Sequence, residues 1–97
     1  MDERPELLSH PPLRYPEILK EAGIEGAVVL DAVVDTAGRI ERGSVRIVTS
    51  TNALFDAAAR ETIAGSLYRP GRWGGRAVRV RVTQPVVFRL AGRSPAL

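Results

Sequence analysis

The chain has 97 residues, enough for one small domain with one hydrophobic core, and a content of 44% hydrophobic and 26% charged residues excludes a wholly disordered chain. The absence of cysteine excludes disulfides and thiolate metal sites, and the single histidine, His10, excludes a multi-histidine metal site. The net charge of +3 is modest. No stretch approaches the roughly 20 apolar residues of a membrane span, and the N-terminus is unlike a signal peptide. The chain as given is therefore expected to be soluble and without an export signal.

The first part of the chain is predicted to be a linker followed by a short helix. Residues 1–14 have no periodicity and contain three prolines, so we interpret them as a linker remnant. Tyr15 to Gly23 is typical of a short helix, with Pro16 at the first helical position and Gly23 as a left-handed end. Two turns of helix are not stable alone, so this helix is expected to dock on the rest of the domain.

Two strands joined by a tight turn are predicted next. Gly26 to Asp35 is apolar on both faces, which favours a central strand. Gly38 suits the following hairpin turn because glycine readily takes a positive φ. The second strand is predicted from Arg39 to Thr49, with Gly43 as a candidate bulge.

A longer helix is predicted after the second strand. Asn52 is the expected N-terminal cap and Pro70 the expected end. Between them, apolar residues recur at helical spacing and form one stripe: Phe55, Ala58, Ala59, Ile63 and Leu67.

The last predicted strand runs from Arg76 to about Leu90, after a glycine-rich turn at residues 71–75. Its even positions are almost all apolar and its odd positions are mostly basic, which is the alternation of a half-buried strand. Pro85 has no N–H for a ladder, so it indicates an edge strand or a bulge.

These elements predict an α+β domain with the chain order α-β-β-α-β. The second helix is long enough to return the chain across the sheet, and the usual solution is a split β-α-β unit with a right-handed crossover. We therefore expect a three-stranded antiparallel sheet of order 2-1-3 with both helices on one face. The third strand is then an exposed edge.

No catalytic constellation stands out in the sequence, so an enzyme is not expected. His10 has no second histidine or cysteine to act with, and it lies in the linker-like segment. Asp31 and Asp35 are four strand residues apart, roughly 13 Å, which is too far for a carboxylate pair. An open edge strand instead suits strand addition, in which an extended peptide pairs its backbone with the edge.

Basic residues are concentrated in the second half of the chain. Seven arginines and no acidic residue lie between Arg69 and Arg93. This pattern fits a solvated basic face, and it also fits a patch for nucleic acid, anionic lipid or an acidic protein. The predicted outer sheet face offers Arg79, Arg81 and Thr83 but no aromatic side chain, which counts against an RNA-binding domain that stacks bases.

Several short motifs, in register from about Pro12 to Leu90, resemble the C-terminal domain of TonB-family energy transducers. Each motif is weak by itself, and the family resemblance depends on their order and spacing. In chain order they are Tyr15-Pro16, Ala22-Gly23-Ile24-Glu25-Gly26, Val34-Asp35-Thr36-Ala37-Gly38-Arg39, Gly43-Ser44-Val45-Arg46-Ile47-Val48 with Leu54-Phe55-Asp56 and Ala58, and Tyr68-Arg69-Pro70 followed by Gly75-Arg76, Val78, Gln84-Pro85 and Phe88.

The resemblance implies a periplasmic domain at residues 15–90, with a tail at 91–97 and an anchor in the inner membrane that lies outside this chain. It implies that the last strand pairs with the TonB box of outer-membrane transporters and passes on force from inner-membrane proton-channel subunits. Carried over, the partner-binding residues are Tyr15, Pro16, Arg79, Val80, Arg81, Val82, Thr83 and Gln84. No cofactor or metal is implied.

Two alternatives stay open at this stage. The domain could be a free-standing cell-envelope adaptor or a self-associating module, because an edge strand also pairs with a second copy of itself. Familiar members of the family often have polar residues just before the Tyr-Pro motif. This chain has Pro12, Leu13 and Arg14 there instead.

Overall fold

A computed structural model describes residues 2–90 and 96–97 of the chain. Two single-turn 3-10 helices, Arg42–Ser44 and Ala53–Phe55, accompany the regular elements of the described residues. Those elements are, in chain order, β1 Glu6–Ser9, α1 Glu17–Glu21, β2 Gly26–Val34, β3 Arg46–Ser50, α2 Asp56–Ala64, β4 Leu67–Arg69, β5 Gly71–Trp73, β6 Arg76–Val78 and β7 Val80–Phe88. Neither α-helix has the length and apolar character that crossing a membrane requires.

The main sheet is antiparallel and three-stranded, with β2 between β3 and β7. Along β2, every residue is paired with β7, from Gly26 opposite Phe88 to Val34 opposite Val80. The pairing with β3 is shorter and shifts register after Val29. The predicted α+β class with two helices and antiparallel pairing is thus confirmed, and the apolar character of β2 on both faces explains its central place.

Both helices pack on one face of this sheet and build the core there. β2 and β7 supply the sheet side of the core with their even-numbered residues, and α1 supplies Leu19. Phe55, Ala59 and Ile63 from the helical segment are fully buried against them. The sheet residues of this core are Val28, Leu30, Ala32, Val34, Val86 and Phe88.

The second helix begins as predicted and ends earlier than predicted. Asn52 caps the first turn by accepting a hydrogen bond from the N–H of Leu54 at 2.9 Å. The helix then stops at Ala64, and Leu67 lies in β4 rather than on the apolar stripe, so the predicted end at Pro70 is wrong. Gly65 is the C-cap of the helix, and the lack of a side chain there lets Pro11 approach closely, since a Cβ would lie 2.6 Å from the Pro11 ring.

The predicted second strand is interrupted near its start. Only Ile40 bridges to β2, and the chain then turns through the 3-10 helix before β3 begins at Arg46. The Ser44 hydroxyl accepts a hydrogen bond from the N–H of Val33 at 2.8 Å, which replaces a ladder bond at this point. The predicted irregularity at Gly43 is therefore a 3-10 turn rather than a bulge, and the predicted strand from Arg39 to Thr49 is reduced to Arg46–Ser50.

The predicted last strand is also divided. β6 pairs with β5 in a separate hairpin whose turn is Gly74 and Gly75, with φ of 58° and 76°. Arg79 belongs to neither strand, and only β7 joins the main sheet. The predicted turn at residues 71–75 is thus the tip of a hairpin, and the continuous strand from Arg76 to Leu90 is wrong.

Residues 6–9, inside the segment interpreted as a linker remnant, form a strand. β1 pairs antiparallel with β4, placing Glu6 opposite Arg69 and Leu7 opposite Tyr68. The backbone of Glu3 also exchanges hydrogen bonds with Arg72, at 3.2 and 3.0 Å. The N-terminal segment is therefore held against the domain.

Candidate functional site

The outer edge of β7 is the candidate site, because β2 occupies the other edge along the whole strand. Backbone groups of successive residues in an antiparallel strand point to opposite edges. Val87 exchanges hydrogen bonds of 2.6 and 2.8 Å with Ala96, so its N–H and C=O point outward. By alternation, the backbone groups of Arg81, Thr83 and Pro85 also face outward.

This alternation explains why β7 continues through Pro85. The missing N–H of a proline at this position would point to the outer edge, so the ladder with β2 loses no bond. Of the two predicted outcomes for Pro85, an edge strand or a bulge, the edge strand is confirmed, since residue-by-residue pairing with β2 continues on both sides of it. The Pro85 carbonyl accepts a hydrogen bond from Gln84 Nε2 at 3.0 Å.

The open part of the edge is short. Ala96 covers it at Val87, and Leu97 packs against the core. The rest of the predicted tail, residues 91–95, lies outside the described residues. Among the described residues, the backbone groups of Arg81 and Thr83 have no hydrogen-bond partner. Two N–H donors and two carbonyl acceptors therefore remain available for a partner strand.

A groove of about 410 Å³ runs along this open edge. Five consecutive residues of β7, from Val80 to Gln84, line one side of it. Because these side chains point alternately to both faces, their joint presence places the groove along the edge of the strand. Its other lining residues are Arg4, Pro5, Leu7 and Tyr68.

The groove combines positive charge with apolar surface. Arg4 and Arg81 line it, and no acidic residue does. Neither arginine has an ion-pair partner among the described residues. Leu7, Val80 and Val82 are half-buried and present aliphatic surface. Such a lining suits an extended peptide that carries apolar and acidic side chains.

The predicted site residues Gln84 and Arg79 form side-chain hydrogen bonds within the domain. Gln84 accepts a hydrogen bond from the Tyr68 hydroxyl at 3.1 Å. Burial raises the pKa of Tyr68, so the hydroxyl stays protonated as a donor. Arg79, outside the strand, donates to both carboxylate oxygens of Glu41 at 2.6 and 2.8 Å. These hydrogen bonds lower the pKa of Glu41 and raise that of Arg79.

Thr83 is held from the outer face of the sheet. Its hydroxyl donates to Asp31 on β2 at 2.8 Å, and the other carboxylate oxygen of Asp31 lies 3.8 Å from the Arg46 guanidinium on β3. This row of side chains crosses all three strands. It fixes the strand at the position where the Thr83 backbone faces the groove.

Tyr15 and Pro16 are not part of the groove. The ring of Tyr15 contacts Phe55 and Phe88 edge-on, with ring centroids 5.7 and 5.6 Å apart. Its hydroxyl donates to the Ile24 carbonyl at 2.5 Å, and desolvation, followed by the charge of Glu25, raises its pKa. Pro16 precedes the first residue of α1. Phe88 is four residues beyond Gln84, so this cluster lies roughly 13 Å along β7 from the groove.

The residues that line the groove opposite β7 were not predicted from the sequence. Arg4, Pro5 and Leu7 come from the segment interpreted as a linker, and Tyr68 from a three-residue strand. No local pattern predicts the pairing of β1 with β4, because the strands are short and far apart in sequence.

Comparison with known proteins identifies a family and solved structures of similar fold. The family model described as "Gram-negative bacterial TonB protein C-terminal" matches residues 11–90. The solution NMR structure of the Pseudomonas aeruginosa TonB C-terminal domain superimposes with a TM-score of 0.74 at 27% sequence identity. That match covers 95% of this chain and 92% of the other. A search of the curated proteins finds no match.

Proposed function

We propose that the chain, which belongs to the family of TonB C-terminal domains of Gram-negative bacteria, is a peptide-binding module rather than an enzyme. The domains of this family are periplasmic and energy-transducing, and in general they act on outer-membrane transporters. In this proposal the outer edge of β7 pairs with the TonB box of a transporter. The pairing transmits force that inner-membrane proton-channel subunits derive from the proton-motive force.

The open backbone of Arg81 and Thr83 is the observation that supports this proposal. Each hydrogen bond to a partner strand contributes about 0.5–1.5 kcal/mol net. Four such bonds give roughly 4 kcal/mol, which is no more than association costs in lost translational and rotational freedom, so backbone pairing alone would be weak. Side-chain contacts in the groove must supply the rest of any tighter binding. A weak and short pairing of this kind suits a partner that is engaged and released repeatedly.

The residues of the open edge have different proposed roles. Arg81 and Thr83 bind through their backbone, whereas Val80 and Val82 offer apolar side chains to the partner. Gln84 acts through Tyr68, which it holds in the groove. Arg79 positions the start of β7 through Glu41 rather than touching the partner strand.

Tyr15 and Pro16 are proposed as a second contact, for a transporter segment beyond the paired strand. This assignment comes from their match to the Tyr-Pro motif of the family. Their distance from the groove means that a peptide limited to the open edge should not reach them.

Self-association through the same edge is the alternative function. The unpaired backbone of Arg81 and Thr83 would also pair with a second copy of β7. In an antiparallel pairing that uses both residues, Arg81 would lie opposite Thr83 of the other copy and diagonal to its Arg81, and the repulsion between these like charges opposes the pairing. Sedimentation equilibrium distinguishes this case, because a tight dimer at micromolar concentration would favour self-association.

A pair of variants tests backbone pairing directly. Arg81→Pro removes the outward N–H without removing a bond to β2, whereas Arg81→Ala keeps the N–H and removes the side chain. In an amide NMR titration with TonB-box peptides, we expect saturable shifts at Arg81 to Gln84 in the wild-type domain. The proline variant should bind several-fold more weakly than the alanine variant.

The fold of each variant is checked by its amide spectrum, and Thr83→Pro provides the same test if Arg81→Pro does not fold. Absence of any shift on β7 at millimolar peptide would refute strand addition at this edge. Equal binding by the proline and alanine variants would show that the Arg81 N–H is not used.

A further inference from the structure

We propose that the tip of the β5–β6 hairpin, residues 72–76, is a docking site for an anionic phospholipid bilayer. In this proposal Trp73 enters the headgroup region, and Arg72 and Arg76 contact lipid phosphates. The site is separate from the groove along β7, whose lining comes from other residues. The inference therefore stands apart from the proposed function.

Trp73 contributes little to the packing of the domain. It is the only tryptophan of the chain, and it is 62% exposed. The two glycines that follow it form the turn, and a Cβ at Gly74 or Gly75 would meet no atom within 4 Å. The tip thus projects into solvent. Because an indole has a large apolar surface that is unfavourable to leave in water, its place at this tip points to a partner outside the chain.

The base of the hairpin is held firmly, so the tip is preformed. Gly71 is buried, and a Cβ there would lie 2.6 Å from the side chain of Val80 and 3.3 Å from the ring of Pro5. The backbones of Glu3 and Arg72 exchange hydrogen bonds at 3.2 and 3.0 Å. Binding at the tip therefore requires little ordering of the protein.

Two arginines lie beside the indole. Trp73 is paired directly with Arg76, and residues paired in this way have their side chains on one face, about 5 Å apart at Cβ. The Arg72 guanidinium reaches the turn from the other face and donates to the Gly75 carbonyl at 2.6 Å. Within the part of the chain that the structure describes, neither guanidinium has an ion-pair partner. Both charges are thus available to an anionic partner.

An exposed indole between guanidinium groups on a projecting tip fits a bilayer surface better than a protein. Tryptophan is enriched at the membrane–water interface because its ring is apolar and its N–H is polar, and arginine is attracted to anionic headgroups. A stable protein interface buries about 800 Å² on each side, which a hairpin tip alone does not supply. The net charge of +3 adds attraction to an anionic surface at longer range.

Intrinsic fluorescence reports on this site alone, because Trp73 is the only tryptophan. On titration with vesicles of phosphatidylcholine and phosphatidylglycerol, we expect its emission to shift to shorter wavelength and to saturate as the indole leaves water. Vesicles of phosphatidylcholine alone should give no shift, and added salt should weaken the binding. An unchanged emission at saturating anionic lipid, or an equal shift with neutral lipid, would overturn the inference.

Co-sedimentation with the anionic vesicles compares variants with matched controls. Trp73→Ala should bind at least about tenfold more weakly. Leu54→Ala should bind like the wild type, since it removes a similarly exposed apolar side chain ahead of α2. Arg76→Ala should bind about fivefold more weakly, and Arg89→Ala, which removes the same charge beyond the far end of β7, should have a much smaller effect.

Asp2 provides a test in the opposite direction. Its carboxylate lies at the tip, where it accepts a hydrogen bond from the Gly75 N–H at 3.0 Å, and its charge opposes an anionic surface. Asp2→Asn keeps an oxygen for this bond and removes the charge, so it should bind the vesicles more tightly, by up to about fivefold. Equal weakening by Arg76→Ala and Arg89→Ala would show an attraction spread over the whole domain and would overturn the inference.

Discussion

Replacing Tyr15 by alanine should destabilise the domain strongly although its ring is only half-buried. The change removes two edge-on contacts, to Phe55 and Phe88, which are themselves stacked with centroids 4.3 Å apart. Each aromatic contact contributes about 0.5–1.5 kcal/mol. The hydrogen bond to the Ile24 carbonyl adds about 0.5–1.5 kcal/mol. The expected loss in the free energy of unfolding is therefore roughly 2–4 kcal/mol.

Thermal and urea unfolding followed by circular dichroism measure this loss. For a domain of this size, 1 kcal/mol corresponds to about 4–8 °C, so the Tm of Tyr15→Ala should fall by at least about 8 °C. Tyr15→Phe keeps the ring contacts and should lose only about 0.5–1.5 kcal/mol. Trp73→Ala is the control, because that side chain is 62% exposed and should change stability by less than about 0.5 kcal/mol. If Tyr15→Ala unfolded at the wild-type temperature, the ring contacts could not be part of the core.

Three further predictions follow from single residues. Gly38→Ala should cost more than about 2 kcal/mol, since its φ is +84° and a Cβ would lie 1.9 Å from the Tyr68 carbonyl oxygen; Gly74→Ala, with a φ of +58° and open space, should cost only about 1–2 kcal/mol in urea unfolding. Burial raises the pKa of Tyr68 above its value in the unfolded chain. The stability that the protonated hydroxyl contributes is therefore complete below pH about 10 and is lost as the pH rises through the folded pKa. Tyr68→Phe should reduce this loss of stability at alkaline pH, measured by unfolding across that range. The lowered pKa of Glu41 gives stability above its ordinary pKa that is lost as the pH falls through the folded value, and Arg79→Ala should return the carboxyl titration, followed by NMR, toward its ordinary range.

The long, periodic elements were predictable from the sequence because each carries its own pattern. The apolar character of β2 on both faces and the alternation along β7 indicate a central and an edge strand without tertiary information. The Asn52 cap was likewise a local signal, and the structure contains its hydrogen bond. These elements suffice for the α+β class.

The parts that were not predicted depend on contacts between distant residues. β1, β4, β5 and β6 have only three or four residues each, too few for a periodicity to appear. The glycines at 74 and 75 indicated a turn, but the hairpin around it required three-residue strands that no pattern marks. The groove was not predicted for the same reason. Four of its nine lining residues, Arg4, Pro5, Leu7 and Tyr68, lie opposite β7 only because β1 pairs with β4.

The same distinction between local sequence patterns and contacts of distant residues applies to the candidate site. That the last strand is an edge strand followed from the predicted topology and from Pro85. Which backbone groups of that strand are free did not, because it depends on the register with β2 and on the bridge between Val87 and Ala96. Arg79 was assigned to the strand by its position in the alternation, whereas its pairing with Glu41 is a contact across 38 positions of sequence.

The attachment of the N-terminal segment has a mechanical consequence. A pulling force applied ahead of β1 acts first on the Glu3–Arg72 bridge and the short ladder of β1 with β4, because α1 and β2 follow them in the chain. The pairing of β2 with β7 is longer, at nine residues, and is expected to yield only after that ladder. The domain is thus compliant at its N-terminal end and stiff in its main sheet, so a modest extension would be absorbed before the strand that forms the open edge is disturbed.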